Sequence, residues 1–254
     1  MTLSTVPPFL RLLAHDVRWE LLAELSRSDR RVGELVALTA RPQNLVSYHL
    51  GRLRDGGIVH ERRSSADGRD VYYHLDLARL ESLYHASGGA LHPALACGPS
   101  TGPAAAAEHP ARVLFLCTHN SARSQMAEAL LSRAAGDRVR VAGAGSEPSA
   151  VHPLAIRVMA ERGIDISRQR SKHMDELAAR PWDVVVTVCD RVREVCPAFP
   201  AETRTIHWSV PDPAAAIGSE ADRLAAFRAT ADEIARRVRF LAGELGAAAP
   251  TVGS

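Results

Sequence analysis

At 254 residues, 46% hydrophobic and 24% charged, the chain is long enough for two globular domains, each with its own core. A formal net charge of +2 selects no polyanionic partner, so any nucleic-acid contact must come from local arginine placement, Lys172 being the only lysine. Neither a membrane helix of ~20 apolar residues nor a secretory signal is visible, and four cysteines in a chain expected to be cytoplasmic argue for catalysis, redox chemistry or metal binding over a disulfide scaffold.

The first elements read as helices. In VRWELLAEL, Val17, Leu21, Leu22 and Leu25 fall at helical spacing. A polar turn, SRSDRR, leads to a second short helix, VGELVALTA. Thr39 is a candidate N-cap ahead of Pro42, where the third helix, PQNLVSYHLGRLRDGG, begins. Its Val46, Leu50 and Leu53 stand at i, i+4 and i+7 and make one apolar stripe, which Gly56 and Gly57 end. IVHERRSS and RDVYYHLD alternate in polarity and meet around Ala66, Asp67 and Gly68, the pattern of a hairpin. ARLESLYHA adds a closing helix. Three helices, a hairpin and a last helix are the order of a small winged helix-turn-helix domain, expected over residues 1–87.

Within this block, SYHLGRLRDGGIV resembles the recognition-helix end of ArsR-type repressors, which often read S-x-H-L-x-x-L-x-x-x-G-L-V. The resemblance implies DNA binding, with Gln43, Asn44, Ser47, Tyr48 and His49 facing the major groove because Val46, Leu50 and Leu53 face the core. Arg62, Arg63 and Arg69 would then lie on the wing and contact phosphates. It also implies a homodimer formed through the first and last helices. A winged helix used for protein interaction is the alternative, since acidic residues nearly balance the arginines here. Many such repressors bind arsenite through cysteines near the second helix of the motif. DRRVGELVALTA has none, and the only thiol outside the second block is Cys97, so this block holds no three-thiol metalloid site.

Residues 88–110, GGALHPALACGPSTGPAAAAEHP, are rich in glycine, proline and alanine and keep no period, which reads as a flexible linker. From 111 to 246, strands and helices alternate. RVLFL is a short apolar strand, SQMAEALLSRAA a helix, RVRVAGA a strand, HPLAIRVMAERG a helix. WDVVVTV is the most β-branched run in the chain and is expected to be a central buried strand. TRTIHW is a fourth strand. The last helix puts Leu224, Phe227, Ala231, Ile234, Val238 and Leu241 on one face. This alternation predicts an α/β domain with a parallel four-stranded sheet and a ligand at the C-terminal strand ends. Residues 247–254 read as a disordered tail.

The richest segment is VLFLCTHNSARSQMAEALL. An apolar strand ends at Leu116, and Cys117, Thr118, His119, Asn120, Ser121, Ala122, Arg123 and Ser124 follow as C-x5-R-S before a helix begins. A loop of this length can wrap its backbone N–H groups around a tetrahedral oxyanion. The helix behind it adds the positive end of its dipole, and Arg123 can offer a planar charged fork to two oxygens. The same donors would stabilise a thiolate at Cys117 and make it a nucleophile. The plain alternative is a structural cysteine at a strand end.

This loop resembles the phosphate-binding loop of the low-molecular-weight tyrosine phosphatase fold, which thioredoxin-coupled arsenate reductases share. The family usually reads C-x-G-N-x-x-R-S. Here Cys117, Asn120, Arg123 and Ser124 match, His119 stands where glycine is usual, and Ala122 replaces a second loop cysteine often seen. The similarity continues through GAGSEPSAVHPLAIRVMAERGIDIS and so spans the second block. It implies that Asn120 and Ser124 hold the loop and tune the thiolate, and that Asp212 of Asp212-Pro213 is the general acid. Some of these reductases hold a potassium ion. Asn120, Glu128 and Asp165 would be counterparts of its ligands, but Gly143 falls at the serine position, and no metal is assigned.

Reductase and phosphatase share Cys117, Arg123 and Asp212. What separates them is VVVTVCDRVREVCPAFP, with Cys189 at the end of the central strand and Cys196 seven positions on. The resemblance implies a relay in which Cys117 attacks arsenate, Cys189 attacks Cys117, and Cys196 attacks Cys189. The Cys189–Cys196 disulfide is then presented to thioredoxin. Such a relay needs a mobile segment, and the charged RVRE between the cysteines fits one. Three alanines, Ala214 to Ala216, follow Asp212-Pro213 where tyrosine phosphatases of this fold tend to carry aromatics. The implied function is arsenate reduction joined to transcriptional regulation, with no bound cofactor. The readings left open are a phosphatase with a DNA-binding domain, a reductase drawing on mycothiol or glutathione, and a regulator that only binds an oxyanion.

Overall fold

The computed structural model describes residues 5–92, 109–196 and 198–246. Most of the expected linker, with Cys97 in it, and the expected tail lie outside the described residues. The chain divides into two compact units, Met1–Gly102 and Pro103–Ser254.

In the first unit the helices α1 (Pro8–Leu13), α2 (Asp16–Arg27), α3 (Val32–Thr39), α4 (Gln43–Asp55) and α5 (Leu77–Gly89) surround a small sheet of β1 (Arg30–Arg31), β2 (Val59–Arg63) and β3 (Val71–Leu75). Leu21, Leu35, Val46, Leu50, Leu53 and Ile58 form its core, each 1% exposed or less. Complete burial of one such side chain contributes about 1.5–3 kcal/mol.

Three features differ from the sequence reading. Two elements were not foreseen: α1, begun by Pro8, and β1, which pairs antiparallel with Tyr72 and Tyr73 in a sheet of order β1-β3-β2. The SRSDRR stretch is therefore only partly a turn. Thr39 does not cap α4: it ends α3, and its hydroxyl donates to the Leu35 carbonyl at 2.7 Å. Pro42, with φ of −59°, enters α4 without a side-chain cap. Helix α5 also runs on through Gly88 and Gly89, two residues into the stretch read as linker.

In the second unit β4 (Ala111–Cys117), β5 (Val139–Gly145), β6 (Val184–Thr187) and β7 (Arg204–His207) pair in parallel in the order β5-β4-β6-β7. Helices α6 (Arg123–Ala135), α7 (Pro153–Glu161), α8 (Asp175–Ala178), α9 (Asp190–Val195) and α10 (Glu220–Gly246) complete it. All four residues of β6 are buried, as a β-branched interior strand requires. The six apolar residues of α10 named above are buried where it packs on α6 and α7. The register sets Cys117 beside Gly145, Leu116 beside Thr187 and Thr187 beside His207. One edge of the sheet thus gathers the first thiol, the approach to the second, and a histidine. The RVRE segment between the two cysteines is helical and lies in α9, with Cys189 as its N-cap residue and Cys196 just past its end. Among the described residues no helix is long and apolar enough to cross a membrane.

Candidate active site

The loop between β4 and α6 is held from outside by its carbonyls. Thr118, His119 and Ser121 accept hydrogen bonds from the amides of Glu147, Ser149 and His152 at 2.9, 3.0 and 2.8 Å. The Asn120 carbonyl accepts from Gln125 Nε2 at 2.8 Å and from Ser171 Oγ at 2.7 Å. With the carbonyls turned outward, the amides are free to face inward, the arrangement of an anion-binding nest. The Asn120 amide donates to Cys117 Sγ at 3.2 Å, and Ser124 Oγ lies 3.0 Å from the same sulfur. The amides of Ser121 and Ala122 engage no acceptor among the described residues. Asn120 takes φ of +44°, a left-handed conformation that asparagine tolerates better than most side chains. Its Nδ2 donates to Ser124 Oγ at 2.8 Å, so the loop conformation and the sulfur's partner are set together. The helix dipole of α6 points its positive end into the same space.

Arg123 is 5% exposed. Its Nη1 donates to the Val210 carbonyl at 3.0 Å, and its Nη2 stands 3.1 Å from Asp212 Oδ2. The fold thus brings a carboxyl group to the loop from a segment 89 positions away. The amide of Ala214 donates to Asp212 Oδ1 at 3.1 Å and orients it at the head of a short 3-10 turn, Pro213–Ala215.

Cys117, Cys189 and Cys196 are free thiols, the first two buried and the third half-buried. Thr118 Oγ1 lies 3.4 Å from Cys189 Sγ, which puts the second thiol against the loop that carries the first. Burial raises the Cys189 thiol above its ordinary range, and Cys117 adds to this. Arg123 and the Thr118 hydroxyl pull the other way. Burial pushes Cys196 up to about 11.

Residues 112–250, more than half the chain, match the family described as low molecular weight phosphotyrosine protein phosphatase. The chain belongs to that family. Arsenate reductase from Halalkalibacterium halodurans is 43% identical to it over 130 residues, 51% of this chain and 94% of that protein. The arsenate reductases of Bacillus licheniformis and Bacillus subtilis are 40% and 41% identical over the same length and coverage. A solved structure described as an arsenate reductase in oxidized state is 32% identical over 53% of this chain and 98% of that one, with a TM-score of 0.47. Residues 15–61 match the bacterial regulatory protein arsR family. An arsR-type helix-turn-helix unit is therefore joined to an arsenate-reductase-like catalytic domain of the phosphatase family.

Several supporting residues of this family domain were not singled out from the sequence. Gln125 and Ser171 hold the Asn120 carbonyl, and the Lys172 amide donates to Asn120 Oδ1 at 2.8 Å. Gln125 follows the loop directly, so its place in the first turn of α6 was a usable signal. Ser171 and Lys172 sit in an irregular polar stretch with none. The Lys172 ammonium stands 3.5 Å from Glu128 Oε2, both side chains being largely buried. Burial raises the Glu128 carboxyl, and the lysine draws it down. These residues do not fit a potassium ion. Glu128 already faces a cation, Gly143 supplies no hydroxyl, and Asp165 is exposed and accepts from the Ser167 amide at 2.8 Å.

On the arsR-type unit, Gln43, Asn44, Ser47 and Tyr48 are exposed along α4, and Arg63 and Arg69 are exposed on the hairpin, with Arg62 half-buried. Arg69 is paired with Asp67 at 2.8 Å, and Arg63 donates to the Gly68 carbonyl at 3.0 Å. His49 departs from the reading that put it in the major groove. It is 3% exposed, with its ring 4.3 Å from that of His15 and 5.0 Å from that of Tyr48. The reason is spacing: positions 46, 49, 50 and 53 are i, i+3, i+4 and i+7, one helix face.

Proposed function

We propose that the C-terminal unit reduces arsenate to arsenite through Cys117, Cys189 and Cys196, and that the arsR-type unit binds DNA. The observation that carries this reading is Cys189 lying against the Cys117 loop, with Cys196 at the far end of the same short helix. A phosphatase needs neither thiol.

The loop amides and Arg123 bind the oxyanion, and the Cys117 thiolate attacks arsenic. Asp212 gives a proton to the departing oxygen, which leaves as water, and a sulfur–arsenic(V) bond remains. The Cys189 thiolate then attacks Cys117 Sγ. A disulfide forms, the sulfur–arsenic pair of electrons stays with arsenic, and arsenite leaves as arsenic(III). Cys196 displaces Cys117 from Cys189, returning Cys117 as a thiolate. The Cys189–Cys196 disulfide is reduced by an external dithiol, for which thioredoxin is the proposed donor and a small thiol such as mycothiol or glutathione the alternative.

Seven helical steps separate the Cα atoms of Cys189 and Cys196 by about 10 Å, whereas a disulfide spans at most about 7 Å. Helix α9 must therefore open during the cycle.

On the DNA side, Gln43, Asn44, Ser47 and Tyr48 would read the major groove, and Arg62, Arg63 and Arg69 would touch phosphates, within a homodimer. The deciding experiment is arsenate reduction with thioredoxin, thioredoxin reductase and NADPH, comparing wild type with Cys189→Ser. Turnover lost in the variant, with p-nitrophenyl phosphate hydrolysis retained, is the expected result. Hydrolysis of the phosphate ester with no arsenate turnover in wild type would favour the phosphatase.

A further inference from the structure

Four buried polar groups lie behind the second thiol, and the relay assigns them no part. His207 Nε2 is 3.1 Å from Asp190 Oδ1, and Ser209 Oγ donates to the same oxygen at 2.7 Å. On the other side of the ring, His207 Nδ1 and Thr187 Oγ1 share a hydrogen bond of 2.8 Å. Asp190 is 0% exposed, and His207 and Ser209 are 3% exposed. The groups come from three places in the fold: Thr187 ends β6, His207 ends β7 with Ser209 two residues on, and Asp190 is the first residue of α9. Cys189 is the peptide neighbour of Asp190 and stands two residues after Thr187, so its backbone is clamped on both sides.

Burying a carboxyl and an imidazole costs desolvation, and an apolar cluster of the same volume would hold the strands together at least as well. What the polar set adds is direction, because each hydrogen bond fixes an angle as well as a distance. The far end of α9 is more open to solvent than its start. The helix is six residues long, Glu194 is exposed, and Val195 is 56% exposed. A helix this short is marginal without tertiary anchoring. Its fixed point is Asp190, with buried Val192 one turn-half further on.

We propose that Asp190, held by His207 and Ser209, is a positioning residue for Cys189. It fixes the start of α9, keeps Cys189 Sγ aimed at the Cys117 loop, and leaves the C-terminal part of the helix to open and deliver Cys196. The inference rests on the thiol relay proposed above. Its chemical content is confined to one step, the attack of the Cys189 thiolate on arsenylated Cys117. Arsenate binding, attack by Cys117 and proton delivery by Asp212 do not depend on it.

The test uses the full chain with Asp190→Asn, which keeps size and removes charge, and Ser209→Ala, which removes one donor and serves if the first variant does not fold. Formation of the Cys117–Cys189 disulfide after an arsenate pulse is followed by quench and mass spectrometry in a Cys196→Ser background. Hydrolysis of p-nitrophenyl phosphate, which needs Cys117, Arg123 and Asp212 only, is measured beside it. Asp190→Asn is expected to slow disulfide formation about tenfold or more while phosphate-ester hydrolysis stays within about twofold, and Ser209→Ala to fall between. Disulfide formation at the wild-type rate would overturn the proposal, as would an equal loss of both activities, which marks a general structural effect. A readout without arsenate separates this idea from the relay. Iodoacetamide should modify Cys189 about tenfold faster in Asp190→Asn than in wild type as the sulfur leaves its buried place. Equal modification rates would refute the positioning role even if arsenate turnover is robust. A wild type that forms no disulfide with arsenate would instead remove the relay, and this step with it.

Discussion

Gly145 tests the loop geometry most directly. It ends β5 beside Cys117, and a Cβ there would stand 2.5 Å from the Thr118 carbonyl oxygen, 2.8 Å from the Asn120 nitrogen and 2.9 Å from the Cys117 oxygen. All three are backbone atoms, so no side chain can swing aside. Ordinary contact begins near 3.4 Å, and the loop would have to retreat by about 0.9 Å. Overpacking of this kind costs about 1–3 kcal/mol of stability. The larger effect falls on the chemistry, because moving oriented amides by about 1 Å costs roughly 100-fold in rate. Gly145→Ala is therefore expected to lower kcat/KM for p-nitrophenyl phosphate and for arsenate about 100-fold, alongside a modest loss in urea stability. Gly243→Ala is the control. It has open space around it in α10, should leave kinetics unchanged, and should add roughly 0.5–1 kcal/mol. A Gly145→Ala protein with wild-type kcat/KM would refute the claim that the loop backbone is held in place by contact with β5.

Arg123→Lys keeps the charge but cannot reach both the Val210 carbonyl and Asp212 while offering a fork to the oxyanion. It should lose about 100- to 1000-fold in kcat, and steady-state kinetics retaining more than a tenth of wild-type activity would contradict the role. Burial holds the proton on Cys196 up to about 11, against an ordinary value of 9.0. The stability this site contributes is full below about 9 and is lost as pH rises toward 11. Wild type should lose stability relative to Cys196→Ser over that window, and parallel melting curves would count against it. His49 is lowered by burial first, with His15 and Arg18 adding, from an ordinary 6.5. Its contribution is present above about 6.5 and lost as pH falls through the folded value. His49→Leu should flatten acid unfolding of the arsR-type unit, monitored by limited proteolysis, and an unchanged acid profile would refute this.

Much of the site was legible because its signals are local. C-x5-R-S between an apolar strand and a helix needs no knowledge of the rest of the chain, since eight consecutive residues make the nest and the helix end. The WDVVVTV run announced an interior strand through its β-branched content, and its last turn of chain delivered Cys189. His49 shows how a local rule can be read too narrowly. The apolar stripe of α4 was drawn through Val46, Leu50 and Leu53, and the histidine at the intervening i+3 position was set outside it with the groove-facing residues that the resemblance implied. The RVRE stretch was read for its charge alone, and its own Val192, buried together with the preceding Asp190, gives it a place in a short helix.

The sequence by itself determined the two-unit plan, the parallel alternation of the second unit and the Cys117–Ser124 loop between strand and helix, because residue spacing within one strand or helix decides which face is apolar and where a chain can turn. Only the tertiary structure decided which distant groups meet. Arg123 reaches Asp212, Gly145 must be bare against Thr118, and Asp190 lies under His207 and Ser209. These pairings depend on the register β5-β4-β6-β7, which brings the C-terminal ends of separate strands to one edge, and no spacing along the chain encodes that approach.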